Sequence, residues 1–461
     1  MTPEAIVIGA GPAGMTAAAI LAEAGVATLV LDENPAAGGQ IWRGIEAAPA
    51  TRRTLLGEDY AAGLAVARRL AASGADHRPG TTVWQLSSQR EVGWTDGSRA
   101  RLTTVPVVIV ATGAQERPMP VPGWTLPGVM TAGGAQTLLK NAGIAADGAV
   151  FAGTGPLLYL VVRQYLAAGI RVAAVLDTTD RGQRSRALRE MPAALTRPGP
   201  LLKGLAWMRE ITRAGVPLVR GVTALKVLGE EAATGIAWRA GHGDWQEIAT
   251  EHVFLHQGVV PSVNLSMAAG LDHEWCDRQL CWRPETDAWG ESTAEGIFVA
   301  GDGAGIAGWS AAQARGEIAA LAALTRLGRL GESDRDARAA APRRALAAEE
   351  RLRPFLDTWF RPADAFRLPS DDTIVCRCEE ITAGALREAI GIGLAGPNQL
   401  KSYSRAGMGP CQGRSCGLTV HEMMAASTGR RPSELEPLRL RPPVKPLTIT
   451  ELADLETDDA G

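Results

Sequence analysis

The chain lacks the features that would take it to nucleic acid or through a bilayer. Its 461 residues carry 47 Lys and Arg against 50 Asp and Glu, a net charge of −3, so there is no overall basic field and nucleic acid is not an expected partner. Aromatic residues are thin, at 5%, which points the same way. No run reaches the roughly 18 uninterrupted apolar residues that a membrane span needs, so no transmembrane segment is expected. The apolar opening from Ala5 to Leu31 has Glu4 where a secretory signal has basic residues, and Glu23 and several glycines interrupt it. Six cysteines in so long a chain, without such a signal, argue for a reducing compartment and for thiols used as ligands. The expected location is the cytoplasm, with peripheral attachment at the inner membrane as the alternative. His256 reads as a hydrogen-bonded interior histidine, or else as one beside a bound ligand, and none of the other five histidines falls into a ligand pair.

What is present begins at once. Ala5-Ile6-Val7-Ile8 reads as a buried strand, followed by Gly9-Ala10-Gly11-Pro12-Ala13-Gly14 and an Ala-rich helix to about Ala24. In such a unit Gly9 permits the tight turn, Gly11 lets the backbone approach a pyrophosphate, and Gly14 lets the helix pack closely on the strand. A second strand from Ala27 ends in Asp32-Glu33. Asp32 is the expected ribose acceptor, with Glu33 the alternative one position on.

A second unit of the same kind opens at Ala149. Gly153-Thr154-Gly155-Pro156 leads into a helix, and the next strand, Val172 to Leu176, ends in Asp177. Leu158 stands where a third glycine is expected. An acid at Asp177 suits a free ribose hydroxyl, so Gly153, Gly155 and Asp177 form a candidate site for NAD or an adenine nucleotide such as ATP, or else a vestigial domain.

Three segments resemble FAD proteins of the glutathione-reductase type: Gly38-Gly39-Gln40, Val107 to Ala111-Thr112-Gly113, and Gly296 to Gly301-Asp302-Gly303. The resemblance implies FAD at the first site, with Gly39, Gln40, Ala111, Thr112, Gly113, Gly301 and Asp302 as contacts. It also implies an α/β fold with two dinucleotide-binding domains, the second inserted into the first. The redox Cys-x4-Cys of a disulfide reductase is absent after Gly39, so that activity is not expected. Cys276 and Cys281 have the same spacing but read as loop thiols.

Beyond Ala312 the composition turns Ala- and Arg-rich, as in a connector helix that Pro342 should break in two, its arginines forming a solvated face. Then come Cys376-x-Cys378 and Cys411-x4-Cys416, the latter pair among Gly407, Gly409, Gly413 and Gly417. Four thiolates meet the ligand count of a 2Fe-2S cluster, and Cys-x-Cys is tighter than the usual zinc spacing. The expected domains are residues 1–117 with 259–330 for FAD, 118–258 for the second nucleotide, 331–370 as connector, 371–430 for the cluster and 431–461 as an extended tail.

Cys-Arg-Cys-Glu-Glu-Ile-Thr and Gly407-Met408-Gly409-Pro410-Cys411-Gln412-Gly413-Arg414-Ser415-Cys416-Gly417 resemble the bacterioferritin-associated-ferredoxin type of domain. With the flavoprotein half, the chain resembles the large, alpha subunits of heteromeric flavin amino-acid and opine dehydrogenases. That group spans the opine oxidase, proline and D-hydroxyproline dehydrogenase, and hydrogen cyanide synthase types. The resemblance implies an electron-transferring oxidoreductase subunit whose partner is a D-amino-acid-oxidase-like FAD subunit that holds the substrate. It implies further an FMN at a subunit interface, a small ferredoxin-like subunit, and an electron carrier or quinone as the sink. No acid–base pair stands near a flavin motif, so no catalytic residue is assigned. The competing readings are a stand-alone NAD(P)H-dependent reductase and a structural subunit that binds ATP without turnover.

Overall fold

The computed structural model describes residues 2–457, which fall into two compact units. The first comprises Met1–Gln115, Val260–Glu350 and Arg439–Gly461; the second comprises Glu116–Val259 and Arg351–Leu438. Among the described residues no helix is long and apolar enough to cross a membrane.

In the first unit, β1 (Ala5–Ile8) is buried at every position, as an all-apolar strand must be when both faces of its sheet are covered. Helix α1 (Pro12–Glu23) follows, then β2 (Thr28–Asp32). The parallel sheet runs Ile297–Val299, Val107–Val110, β1, β2, Asp76–Pro79, with Ala5 paired to both Thr28 and Val107. The polar strand Asp76–Pro79 takes the outer position, where one side faces solvent. Alternate residues Ile6, Ile8, Leu29, Leu31, Val108 and Val110 face one way and pack with Leu86, Val92 and Trp94 of an antiparallel sheet. Helix Trp309–Arg326 packs against α1 so closely that a Cβ on Gly316 would lie 2.3 Å from the Ala13 carbonyl oxygen.

The second unit repeats the plan. Its parallel sheet runs Leu218–Arg220, Val172–Asp177, Ala149–Thr154, Val253–Gln257, Val129–Thr131. Val150, Ala152, Leu176, Val253 and Leu255 face the antiparallel strands Val222–Leu228 and Gly235–Ala240, and Phe151, Tyr165 and Phe254 form an edge-to-face cluster. The cysteine-bearing stretch belongs to this unit and has its own core. A hairpin, Ile374–Cys376 with Ile381–Thr382, packs with helices Ala383–Gly391, Pro397–Ser404 and Gly417–Thr428 through Val375, Leu386, Leu400, Val420 and Met424.

Two expectations about the C-terminal third are corrected. Helix Glu332–Trp359 runs unbroken through Pro342. Proline inside a helix forfeits one hydrogen bond and costs about 3 kcal/mol, so the segment needs outside support. Arg335 and Arg343, on either side of Pro342, supply it by placing their guanidinium carbons 4.1 and 4.0 Å from the ring centre of Trp289. These arginines are therefore not simply a solvated face. The stretch after Arg439, expected to be extended, contains helix Ile449–Ala453 with a Thr448–Glu451 capping box and strand Glu456–Thr457, which pairs with Arg101 and Leu102. Buried Val444 joins the first unit's core, and its N–H donates to the Trp84 carbonyl. The local sequence is weak in secondary-structure signals; tertiary contacts order it.

Removing the ring that both guanidiniums share should cost roughly 1–2 kcal/mol, from cation–π contacts worth about 0.5–1 kcal/mol each at exposed sites. Trp289→Ala is expected to lower the urea midpoint of unfolding accordingly, whereas Trp245→Ala, which loses a single and longer contact with Arg239 at 5.6 Å, should lower it less.

Candidate functional site

The first glycine turn is built by backbone atoms in mutual contact. Gly9, at φ +103°, would place a Cβ 2.5 Å from the Ala111 carbonyl oxygen, and a Cβ on Gly14 would lie 1.8 Å from the Gly9 oxygen. Helix α1 starts at Gly11 with Pro12 in its first turn and no side chain capping it. Its leading N–H groups, including those of Ala13 and Gly14, therefore present a positive end suited to a pyrophosphate. Around this end the backbone of Gly39 approaches Gly11, the Gly38 N–H donates to Ala10, and Gly301 lies against Ala13. The Ala111-Thr112-Gly113 turn is tied down by Thr112 Oγ1 donating to Ser262 O at 3.0 Å and Ser262 N donating to Gly113 O at 2.9 Å. Gly303 comes within van der Waals reach of Thr112 and Gly113. The candidate FAD contacts Gly9, Gly11, Pro12, Ala13, Gly14, Gly39, Ala111, Thr112, Gly113 and Gly301 thus surround one helix N-terminus. Close backbone approach of Gly9, Gly11, Gly39 and Gly301 around an uncapped helix start fits a dinucleotide.

The acidic residues divide the work differently from expectation. Asp32 is only 5% exposed: Oδ2 accepts the Ala10 N–H at 2.5 Å, and Oδ1 accepts the Asn34 N–H and side-chain amide. It braces the glycine turn from below. Glu33 is the exposed carboxylate, and Lys445 reaches it at 2.6 Å. Asp302 Oδ1 accepts the Ala307 and Gly308 N–H groups, holding the turn that follows Gly301. Gln40 is exposed at the end of the loop from Gly38.

The second turn has the same backbone but a different surrounding. Gly153 packs against the His256 carbonyl, and a Cβ on Gly155 would lie 2.9 Å from His256 Nε2. His256 is 2% exposed and its Nδ1 lies 2.6 Å from Glu116 Oε1, while Glu116 Oε2 accepts the Gly133 N–H. Asp177, 1% exposed, is already engaged: Oδ2 pairs with Arg184 at 2.5 Å, Oδ1 accepts the Thr179 N–H at 2.8 Å, and Tyr159 hydrogen-bonds to it. Burial and the Asp177 carboxylate hold the Tyr159 hydroxyl far above its usual range. Leu158 is fully buried in the place of a third glycine.

All four late cysteines come together. Cys376 and Cys416 are buried in the module core, 1% and 0% exposed, Cys411 is half-buried and Cys378 is exposed. Cys376 shares a hydrogen bond with Cys416 and accepts from the backbone N–H groups of Gly407, Glu379 and Cys378; these hold its thiol down to about 5 against burial. The same contact, with burial, pushes Cys416 well up. Burial raises Cys378, whose sulfur also meets the Cys411 backbone and side chain. A Cβ on Gly409 would lie 2.3 Å from Cys378 Cβ. Among the described residues no three His, Cys, Asp or Glu side chains are grouped as a metal site; the sulfurs contact one another in pairs, Cys376 with Cys416 and Cys378 with Cys411. As a donor set, soft sulfurs on two turns with amide N–H groups directed at them suit iron or zinc.

Residues 3–154 match the family model of pyridine nucleotide-disulphide oxidoreductases, and residues 370–455 match that of the sarcosine oxidase A3 domain. The chain is 46% identical to the A subunit of opine oxidase from Agrobacterium tumefaciens (strain Ach5), over 98% of its own length and 92% of that protein's. The chain belongs to this opine oxidase family. It is a flavin-dependent oxidoreductase that binds FAD in an α/β fold with two dinucleotide-binding domains. Hydrogen cyanide synthase subunit HcnB of Pseudomonas aeruginosa is 33% identical over 99% of this chain and 100% of that one. Among solved structures, L-proline dehydrogenase from P. horikoshii shares the fold over 98% of this chain and 80% of that one, with a TM-score of 0.72 at 18% identity. T. acidophilum thioredoxin reductase shares it over 70% of this chain and 98% of that one, at 0.52 and 19%. The family model over the C-terminal stretch is thus a sarcosine oxidase domain, where the cysteine motif had suggested a ferredoxin type.

Sequence reading did not single out Glu116, Arg184, Tyr159, Thr179 or Lys445. None lies in a glycine motif; Thr179 and Arg184 follow Asp177 closely, whereas Glu116 and Lys445 reach their partners from far along the chain.

Gly14→Val forces a side chain into the Gly9 carbonyl and should yield protein without bound flavin. Absorbance at flavin wavelengths relative to protein measures this, with circular dichroism reporting whether the fold survives. A second expectation concerns His421, buried beside Pro432 O, whose imidazole is lowered by burial from 6.5 to about 4. The unfolded chain binds that proton first, so stability present above pH 6.5 is lost as pH falls toward 4, by up to about 3 kcal/mol. His421→Gln should flatten that part of the pH–stability curve in chemical denaturation.

Proposed function

We propose that this chain is the electron-transferring FAD and iron–sulfur subunit of a heteromeric oxidase or dehydrogenase acting on an opine or a related secondary amine or amino acid. The substrate is oxidised in a D-amino-acid-oxidase-like partner subunit that holds its own FAD. The observation that carries the reading is a glycine-lined FAD cradle and four convergent thiols in one chain, in a family whose named members are subunits of opine oxidase. When bound, a flavin exchanges electrons in pairs and a 2Fe-2S cluster singly, which links a two-electron oxidation to a one-electron carrier or quinone.

Gly9, Gly11, Gly14, Gly39, Thr112 and Asp302 hold the FAD, with the exposed Glu33 better placed than Asp32 for the adenosine ribose. Cys376, Cys378, Cys411 and Cys416 hold the cluster. The chain needs no acid or base of its own, because it receives electrons already removed from the substrate. An FMN at the subunit interface and a small ferredoxin-like subunit belong to the same reading, as does a cytoplasmic location.

The engagement of Asp177 by Arg184, Thr179 and Tyr159 weighs against a stand-alone NAD(P)H-dependent reductase, because the carboxylate that would accept the ribose hydroxyls is already bonded. Gly153 and Gly155 keep the glycine turn there, but the ribose of an adenine nucleotide such as ATP would meet the same occupied carboxylate, so a vestigial domain that keeps the fold without hydride chemistry is the better reading.

Cys411→Ser, produced and purified without air together with the partner subunits, should lose the visible and electron-spin-resonance signals of the cluster and retain FAD. Unchanged signals would refute the ligand set. The assembled protein should reduce a dye acceptor with opines. A response to glycine alone would move the assignment to the hydrogen cyanide synthase type, and bleaching of the isolated chain by NADH would move it to a reductase.

A further inference from the structure

Cys276 and Cys281 lie outside both the FAD cradle and the four-thiol module. The structure makes them direct partners across a hairpin. Strands His273–Cys276 and Cys281–Pro284 pair antiparallel with Cys276 opposite Cys281 and Trp275 opposite Trp282. The two indoles meet edge to face at 5.7 Å. Side chains alternate along a strand, so the cysteines share the face opposite this tryptophan pair. Directly opposed residues in an antiparallel pair have Cα atoms about 4.5 or 5.5 Å apart, and both values fall in the roughly 4.4–6.8 Å range of a disulfide. The register therefore places the two thiols on one face at a backbone separation that a disulfide can span.

The turn between them is constrained. Leu280 is held at φ +52°, a left-handed conformation unusual for a leucine. Gln279 grips the segment after Asp302 twice: its Nε2 donates to Ile306 O at 2.8 Å, and its Oε1 accepts the Ile306 N–H at 3.1 Å. The cysteines therefore sit on a braced hairpin attached to the frame of the FAD site. Cys276 is half-buried and Cys281 buried, and no disulfide joins them in this state.

We propose that Cys276 and Cys281 form a reversible dithiol–disulfide pair that exchanges with small-molecule disulfides. The half-buried Cys276 thiolate attacks a sulfur of the disulfide and displaces one thiolate. The Cys281 thiolate then attacks the Cys276 sulfur of the mixed disulfide and displaces the second. Two protein thiols are oxidised to one disulfide, one small-molecule disulfide is reduced to two thiols, and the two protein protons pass to the departing thiolates. The order follows from access, since only Cys276 offers its sulfur to a bulky reagent.

The test equilibrates the FAD-loaded full chain in buffers of stepped reduced-to-oxidised glutathione ratio, then traps free thiols by alkylation and maps the peptides by mass. The peptide holding both cysteines should pass from doubly alkylated to internally bridged, with loss of two hydrogens, and should revert when reduced glutathione is restored. Cys281→Ser should instead accumulate glutathione on Cys276, whereas Cys276→Ser should accumulate little on Cys281. Two results would overturn the proposal: a peptide that stays doubly alkylated in a buffer that oxidises the unfolded chain, or a wild-type chain that stops at the mixed disulfide on Cys276.

Discussion

The approach of backbone to backbone at the first glycine turn governs the FAD half of the molecule. A methyl group on Gly9 or Gly14 would fall inside neighbouring carbonyl oxygens, so α1 can start where it does only because those positions are bare. That closeness directs the helix N-terminus into the cradle, lets Asp32 reach Ala10 from beneath, and brings the Gly301 turn alongside Ala13. The helix end and its leading N–H groups supply partial positive charge there, and Arg315 donates to the Gly301 carbonyl of the adjoining turn at 3.2 Å.

The two parallel sheets show how one plan can be kept or altered. Both units have a five-stranded parallel sheet, a second sheet built on three antiparallel strands, to which the first unit adds Glu456–Thr457 as a fourth, and a glycine turn that begins a helix with proline in its first turn. They differ at the end of the second strand. Asp32 is paired with backbone and Asn34 side-chain donors that keep the glycine turn in shape, and the neighbouring Glu33 stays exposed. Asp177 is paired with a guanidinium, an amide and a phenol from its own surroundings. Burying a carboxylate is costly unless its partners are complete, and these partners satisfy it without any ligand. The glycine pattern that marks a nucleotide site is the same in both, yet the chemistry available to a ribose is not.

Much of the fold was legible in the sequence because it rests on short-range rules. The strand, turn and helix at Gly9 and again at Gly153, and the strand through Val110, all follow from local pattern and spacing. What could not be read depends on residues far apart in the chain. Pro342 argued for a break, and contacts from outside the helix, among them the stacking of Arg335 and Arg343 on Trp289 and the burial of Ala339, support the unbroken helix. Asp32 was expected to face a ligand, but the inward turn of its carboxylate is decided by the Ala10 N–H. His256 was expected near a flavin or in the interior; its place beside Gly155 depends on Glu116, which no motif marks. Cys276 and Cys281 read as loop thiols because spacing alone does not reveal a hairpin register.

The return of residues 444–457 to the first unit bears on how this protein is made. Thr95 donates to Glu451, Glu33 meets Lys445, and Arg101 pairs with Glu456, all across several hundred residues of intervening chain. On the ribosome, the sheet beside the FAD cradle cannot be completed until the whole second unit has been translated. Contacts of such long sequence separation form slowly because the loop entropy must be overcome first. A nascent chain stalled before Lys445 would leave the flavin domain missing one strand and its basic latch.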